Sequence, residues 1–113
     1  MAIQLYYNPR CSKSRATLAL LAEQGIDPEI IEYLNDPPSE TTLKKIQKAL
    51  GCAVTDMVRK KEAPYSENGL ESASDDGLIK AIAKFPILLE RPIVVNGNRA
   101  AIGRPPENVL EIL

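Results

Sequence analysis

The chain has 113 residues, of which 44% are hydrophobic and 26% charged, with a net charge of −1 and no histidine. That length suits one domain, 1–113, around a single core. The near-neutral balance argues against broad nucleic-acid or membrane-surface binding, so any anion site must be a local cluster of arginines.

Without histidine, histidine acid–base chemistry is excluded and zinc is not expected. The two cysteines, Cys11 and Cys52, form neither a C-x-x-C pair nor a metal-ligand cluster. No apolar run approaches the roughly 18 residues of a membrane-spanning helix, and no charged-then-apolar leader is visible. These features predict a cytoplasmic protein with no membrane partner.

Ala2 to Tyr7 reads as a first strand and Ser12 to Gln24 as a helix, with Ser14, Leu18, Leu21 and Ala22 on one face and Gly25 ending it. Glu29 to Tyr33 follows as a short strand, and strand, helix and strand this close together predict a right-handed βαβ unit. Ser39 then caps a helix whose apolar stripe is Leu43, Ile46, Ala49 and Leu50, stopped by Gly51. Ala53 to Val58 reads as another short helix. Arg59 to Ser74, polar and broken by Pro64 and Asn68-Gly69, reads as a long loop.

Ser74-Asp75-Asp76 caps a further helix that buries Leu78, Ile79, Ile82 and Ala83 and ends before Phe85-Pro86. Ile93 to Val95 and Ala100 to Ile102 flank Asn96-Gly97, a hairpin signal. Pro105-Pro106 opens a last helix, with Val109, Leu110 and Leu113 facing inward. The order is βαβ, helical insertion, ββα. It predicts an α/β, thioredoxin-like fold: a mixed sheet with helices on both faces. In that architecture a proline opening the third strand approaches the cysteine after the first, often through a cis peptide bond, and Pro92 holds that place.

Cys11 lies between the first strand and its helix, facing open N–H groups and the positive end of the helix dipole, which favour thiolate over thiol. Arg10, Lys13 and Arg15 are cations close to it in sequence. A free cysteine is also often a small buried apolar residue, but the flanking positions here are polar and cationic. Ser14 occupies the position of a resolving cysteine, so an adduct on Cys11 has to be resolved by an external thiol. Cys52, with no cationic neighbour before Arg59, reads as structural or incidental. Arg91 and Arg104 flank the predicted hairpin. Planar guanidinium groups bind tetrahedral oxyanions by paired hydrogen bonds that lysine reproduces poorly.

Tyr-x-Asn-Pro-x-Cys at 6–11, Arg-Lys-Lys-Glu-Ala-Pro-Tyr at 59–65, Phe-Pro-Ile-Leu-Leu-Glu-Arg-Pro-Ile-Val-Val at 85–95 and Ile-Gly-Arg-Pro-Pro-Glu at 102–107 resemble the glutaredoxin-type arsenate reductases, the ArsC family. The resemblance runs over essentially the whole chain. It implies that Cys11 attacks arsenate to form an enzyme-bound arsenic ester, which glutathione displaces and glutaredoxin helps to reduce, releasing arsenite. It implies Cys11 as nucleophile, Arg59, Arg91 and Arg104 as oxyanion ligands, and Asn8, Ser14 and Pro92 as supporting residues. No bound cofactor or metal is implied, and glutathione is a co-substrate. Tyr7 stands where well-studied members carry a histidine.

Two other functions share the fold. One is a monothiol oxidoreductase acting on glutathione mixed disulfides. The other is a regulator of the Spx type that binds RNA polymerase; Ser14, in place of the second cysteine of a C-x-x-C switch, and Arg104 both count against it. A phosphatase-like arsenate reductase needs Cys-x5-Arg, and Thr17 stands where that arginine would be.

Overall fold

A computed structural model describes residues 3–113; Ala2, placed by the sequence in the first strand, lies outside them. The chain divides into two compact units, Met1–Asp36 with Arg91–Leu113, and Pro37–Glu90.

The first unit is built on a four-stranded sheet of β1 (Gln4–Tyr6), β2 (Glu29–Ile31), β3 (Ile93–Asn96) and β4 (Arg99–Ile102). Its order is β2-β1-β3-β4. β1 runs parallel to β2 and antiparallel to β3, and β3 pairs antiparallel with β4. This is the thioredoxin-like arrangement, with helix α1 (Ser12–Glu23) as the crossover between the parallel strands. Leu5 of β1, Leu21 of α1, Val94 of β3, and Val109 and Ile112 near the C-terminus form one buried cluster.

The register puts Leu5 opposite both Ile30 and Val94, in the middle of β1. The hairpin turn is Gly97-Asn98 rather than Asn96-Gly97: Asn96 pairs with Arg99, and Gly97 takes φ 65° while no non-glycine among the described residues has positive φ. Glycine at the first central position is the signature of a type II′ turn, which matches the twist of the flanking strands.

Several expected boundaries shift for local reasons. β2 stops at Ile31, and Glu32 accepts turn hydrogen bonds from the Asn35 and Asp36 N–H groups. In α1 the buried positions are Ser14, Thr17 and Leu21, whereas Leu18 is half-buried and Ala22 exposed. The C-terminal segment Pro106–Ile112 is a 3₁₀ helix, so its inner face repeats every third residue. It therefore buries Val109 and Ile112 and leaves Leu110 and Leu113, expected inside, at the surface.

The second unit contains α2 (Glu40–Leu50), α3 (Ala63–Glu67) and α4 (Asp75–Lys84), joined by short 3₁₀ turns. Both expected caps form. The Ser39 hydroxyl accepts the Thr42 N–H, and the Ser74 hydroxyl accepts the Gly77 N–H. Val54–Met57 is a 3₁₀ turn instead of an α-helix. The stretch 59–74, expected to be loop, holds α3 and the turn Leu70–Ser72. Pro64 lies in the first turn of α3, where a missing N–H costs nothing, so it opens a helix instead of breaking one.

Candidate active site

The turn leading into α1 organises itself. The Asn8 side-chain oxygen accepts the Arg10 N–H at 3.0 Å, and the Cys11 N–H donates to the Asn8 carbonyl at 3.0 Å. The Asn8 N–H reaches the Ser14 hydroxyl at 3.4 Å, which ties the turn to the first turn of the helix. Cys11 is thereby set at the N-cap with an extended backbone, and its carbonyl accepts the Arg15 N–H as the helix starts. Asn8, Cys11 and Ser14 are all buried. Beside the turn, Tyr7, Arg10, Glu32, Leu34 and Asn35 help to wall a cleft of about 350 Å³.

Burial of Cys11 pushes its thiol up. Hydrogen bonds to the sulfur from the backbone and side chain of Ser14, from the Arg91 side chain and from the Lys13 backbone outweigh that, and the net effect lowers the thiol from 9.0 to about 7. The helix N-terminus thus acts as expected. The neighbouring cations act less directly: the Arg15 guanidinium donates to the Pro9 carbonyl at 2.8 Å, and it is Arg91, 80 positions along the chain, that supplies a charged donor. Cys52, in the second unit, moves the other way, because burial and the Asp56 carboxylate raise its thiol.

Arg91 and Arg104 come to Cys11 through the ends of the hairpin. The Arg91–Pro92 bond is cis, as expected, and so is Arg104–Pro105. Arg104 Nη2 lies 3.7 Å from Cys11 Sγ, while its Nε donates to the Arg91 carbonyl at 2.6 Å. One guanidinium therefore touches the sulfur and the backbone of the other arginine. Gly103 makes that approach possible. Its N–H bonds the Pro92 carbonyl at 2.9 Å, and a Cβ in its place would lie 2.6 Å from Thr17 Oγ1 and 2.8 Å from Pro92 Cγ.

Arg59 belongs to the second unit. Its Nη1 pairs with Glu90 at 2.9 Å and its Nε with Glu62 at 3.4 Å. Paired bonds between Arg59 N–H and the Leu88 carbonyl, and between Glu90 N–H and the Met57 carbonyl, hold the two chain segments side by side.

Of the residues read from the sequence, Cys11, Asn8, Ser14, Pro92, Arg91 and Arg104 are gathered within the first unit. Sequence reasoning missed Gly103, whose only signal was its place before Arg104. It also gave Tyr33 no role beyond that of a core or rim aromatic, and the side chain is completely buried, beyond the end of β2.

The sequence model of the ArsC family matches residues 6–112. The chain belongs to the ArsC family. It is 49% identical to an arsenate reductase of Haemophilus influenzae over the full length of both proteins. It is 48% identical to the uncharacterized protein YfgD of Escherichia coli, over 98% of this chain and 96% of that protein. The structure of an arsenate reductase from Vibrio cholerae superposes with a TM-score of 0.96 at 52% identity, over 100% of this chain and 98% of that one. Among the described residues of this ArsC-family chain, no group of three or more histidine, cysteine or acidic side chains could hold a metal ion, and no helix is long and apolar enough to cross a membrane.

Proposed function

We propose that this chain reduces arsenate to arsenite with thiols as the electron source. The observation that carries the reading is the meeting of two arginines on one sulfur: Arg104 Nη2 at 3.7 Å and Arg91 both donate to Cys11 Sγ. A thiol lowered to about 7 is substantially ionised at neutral pH. Guanidinium groups beside it neutralise and orient an incoming tetrahedral oxyanion, and they stabilise the charge that builds on its oxygens.

In the reaction we infer, the Cys11 thiolate forms an S–As bond and one arsenate oxygen leaves as water after protonation. A glutathione thiolate then attacks the Cys11 sulfur. The S–As electron pair stays on arsenic, which falls from the +5 to the +3 state and leaves as arsenite, while Cys11 is oxidised to a mixed disulfide with glutathione. Because Ser14 cannot act as a resolving thiol, a second external thiol, that of glutaredoxin, completes the exchange and regenerates Cys11. Arg59 joins the oxyanion ligands in this reading, on the strength of the Arg-Lys-Lys-Glu-Ala-Pro-Tyr motif.

The test is arsenite release from arsenate in the presence of glutathione and glutaredoxin, against a no-enzyme control and Cys11→Ser. Release that needs Cys11 and both thiol partners is the expected result. Equal release without the chain overturns the reading.

A further inference from the structure

Among the described residues Tyr33 is the largest fully buried side chain, and its hydroxyl makes no hydrogen bond of full geometry. Leaving a phenol unsatisfied in a dry interior costs on the order of 1–3 kcal/mol, whereas phenylalanine would fill the same space without that cost. Packing alone therefore does not account for the oxygen. Its polar surroundings are the Arg91 guanidinium, the Asn8 side chain and, beyond them, the Cys11 sulfur. Tyr33 and Cys11 in turn both act electrostatically on Arg91. All four residues lie in the first unit.

We propose that Tyr33 is a positioning residue, whose buried hydroxyl turns its lone pairs toward the Arg91 guanidinium and holds that group facing the Cys11 sulfur. A hydroxyl offers two acceptor lone pairs and a guanidinium only donors, so attraction between them is built into their chemistry. With the ring fully buried, the oxygen is a fixed stop for a long side chain that otherwise has many rotamers. The same group fixes one wall of the oxyanion site, and in that respect the inference rests on the arsenate reading above.

The experiment is Tyr33→Phe, which removes one oxygen and keeps the ring, compared with Arg91→Lys and the double variant. Three quantities are read: the pH midpoint of Cys11 alkylation, the arsenate concentration that half-protects Cys11 from alkylation, and the melting temperature. Tyr33→Phe is expected to move the midpoint upward from about 7 and to raise the half-protecting arsenate concentration severalfold, with an unchanged or higher melting temperature. In the Arg91→Lys background the same change should do much less, since coupled residues act non-additively.

An unchanged midpoint, or full additivity in the double variant, overturns the proposal. So does loss of the fold in Tyr33→Phe, which would make the hydroxyl a structural group. The midpoint needs no oxyanion, so it tests Tyr33 separately from the substrate. Absence of arsenate protection in the unaltered chain would overturn the arsenate reading and leave the midpoint to decide the role of Tyr33.

Discussion

Arg104 Nη2 sits 3.7 Å from Cys11 Sγ across 93 positions of sequence. The contact depends on a chain of short-range decisions. Gly103 packs under Thr17 and Pro92, the Gly103 N–H fastens to Pro92, and Arg104 Nε fastens to the Arg91 carbonyl. The result is a cationic rim around a sulfur that already has helix N–H groups beneath it. Attack on an anion requires such a rim, because a thiolate and an oxyanion otherwise repel each other.

The two cysteines should separate cleanly. Cys11→Ser is expected to abolish arsenate reduction, and Cys52→Ser to keep most of it. Alkylation of Cys11 should rise through about pH 7, while Cys52, raised by burial and Asp56, should stay slow until well into the alkaline range. Mass spectrometry of iodoacetamide-treated protein across pH checks both, and faster labelling at Cys52 would reverse the assignment.

The depressed Cys11 thiol also has a consequence for stability. Its folded-state value of about 7 lies below the ordinary 9.0, so the unfolded chain binds the proton more tightly between those limits. The contribution is complete above pH 9 and is lost as pH falls through about 7. Relative to Cys11→Ser, the protein should therefore gain about 2–3 kcal/mol of unfolding free energy between the two limits. Urea melts of both proteins across that range measure the difference, which should vanish below pH 6.

Ser14 tests the origin of that depression. Its backbone and its hydroxyl are the two largest lowering influences on Cys11. Ser14→Ala removes only the hydroxyl, so the thiol should rise partway toward its ordinary value, and alkylation at neutral pH should slow by about threefold. The alkylation pH profile reads this directly. A profile superposable on that of the unaltered chain would leave the helix N–H groups and Arg91 as the effective partners.

Replacing arginine by lysine keeps charge and loses the paired geometry. Arg91→Lys and Arg104→Lys should each cost on the order of 2–4 kcal/mol of transition-state stabilisation, a drop of two to three orders of magnitude in arsenate kcat/KM. Reaction with a neutral disulfide, measured above pH 9.0 where Cys11 is ionised in every variant, should change little. Arg59→Lys is expected to behave alike, although its pairing with Glu62 and Glu90 adds a structural share to its loss. Unaltered arsenate kinetics in all three would remove the oxyanion role.

Much of this site is legible in the sequence because it depends on local grammar. Cys11 between strand and helix, serine caps at 39 and 74, and the hairpin at Gly97 are each set within a few residues. What was misread depends on helix type or tertiary surroundings. The burial of Ile112 in place of Leu110 follows from a three-residue repeat that apolar residues alone do not distinguish from 3.6. Pro64 looks like a breaker until its position in the first turn of α3 is known. Tyr33 reads as a core or rim aromatic, and it is buried; its nearness to Arg91, 58 positions away in sequence, is set by tertiary structure and is not legible locally.

Gly103 provides the sharpest test of how the fold delivers Arg104 to the sulfur. A methyl group there would meet Thr17 Oγ1 at 2.6 Å and Pro92 Cγ at 2.8 Å. Thr17 is fully buried on α1, and Pro92 is buried at the start of β3, so neither neighbour has room to retreat. Gly103→Ala should therefore force the Ile102–Arg104 segment outward, at an overpacking cost of about 1–3 kcal/mol. Because Arg104 follows directly, its guanidinium should withdraw from Cys11 as well. The expected pattern is a lower melting temperature together with weaker arsenate protection of Cys11, both partly restored by Thr17→Ala, which clears the nearer obstacle. If Gly103→Ala lowers stability while arsenate protection holds, Arg104 reaches the sulfur independently of this packing, and the delivery mechanism is wrong.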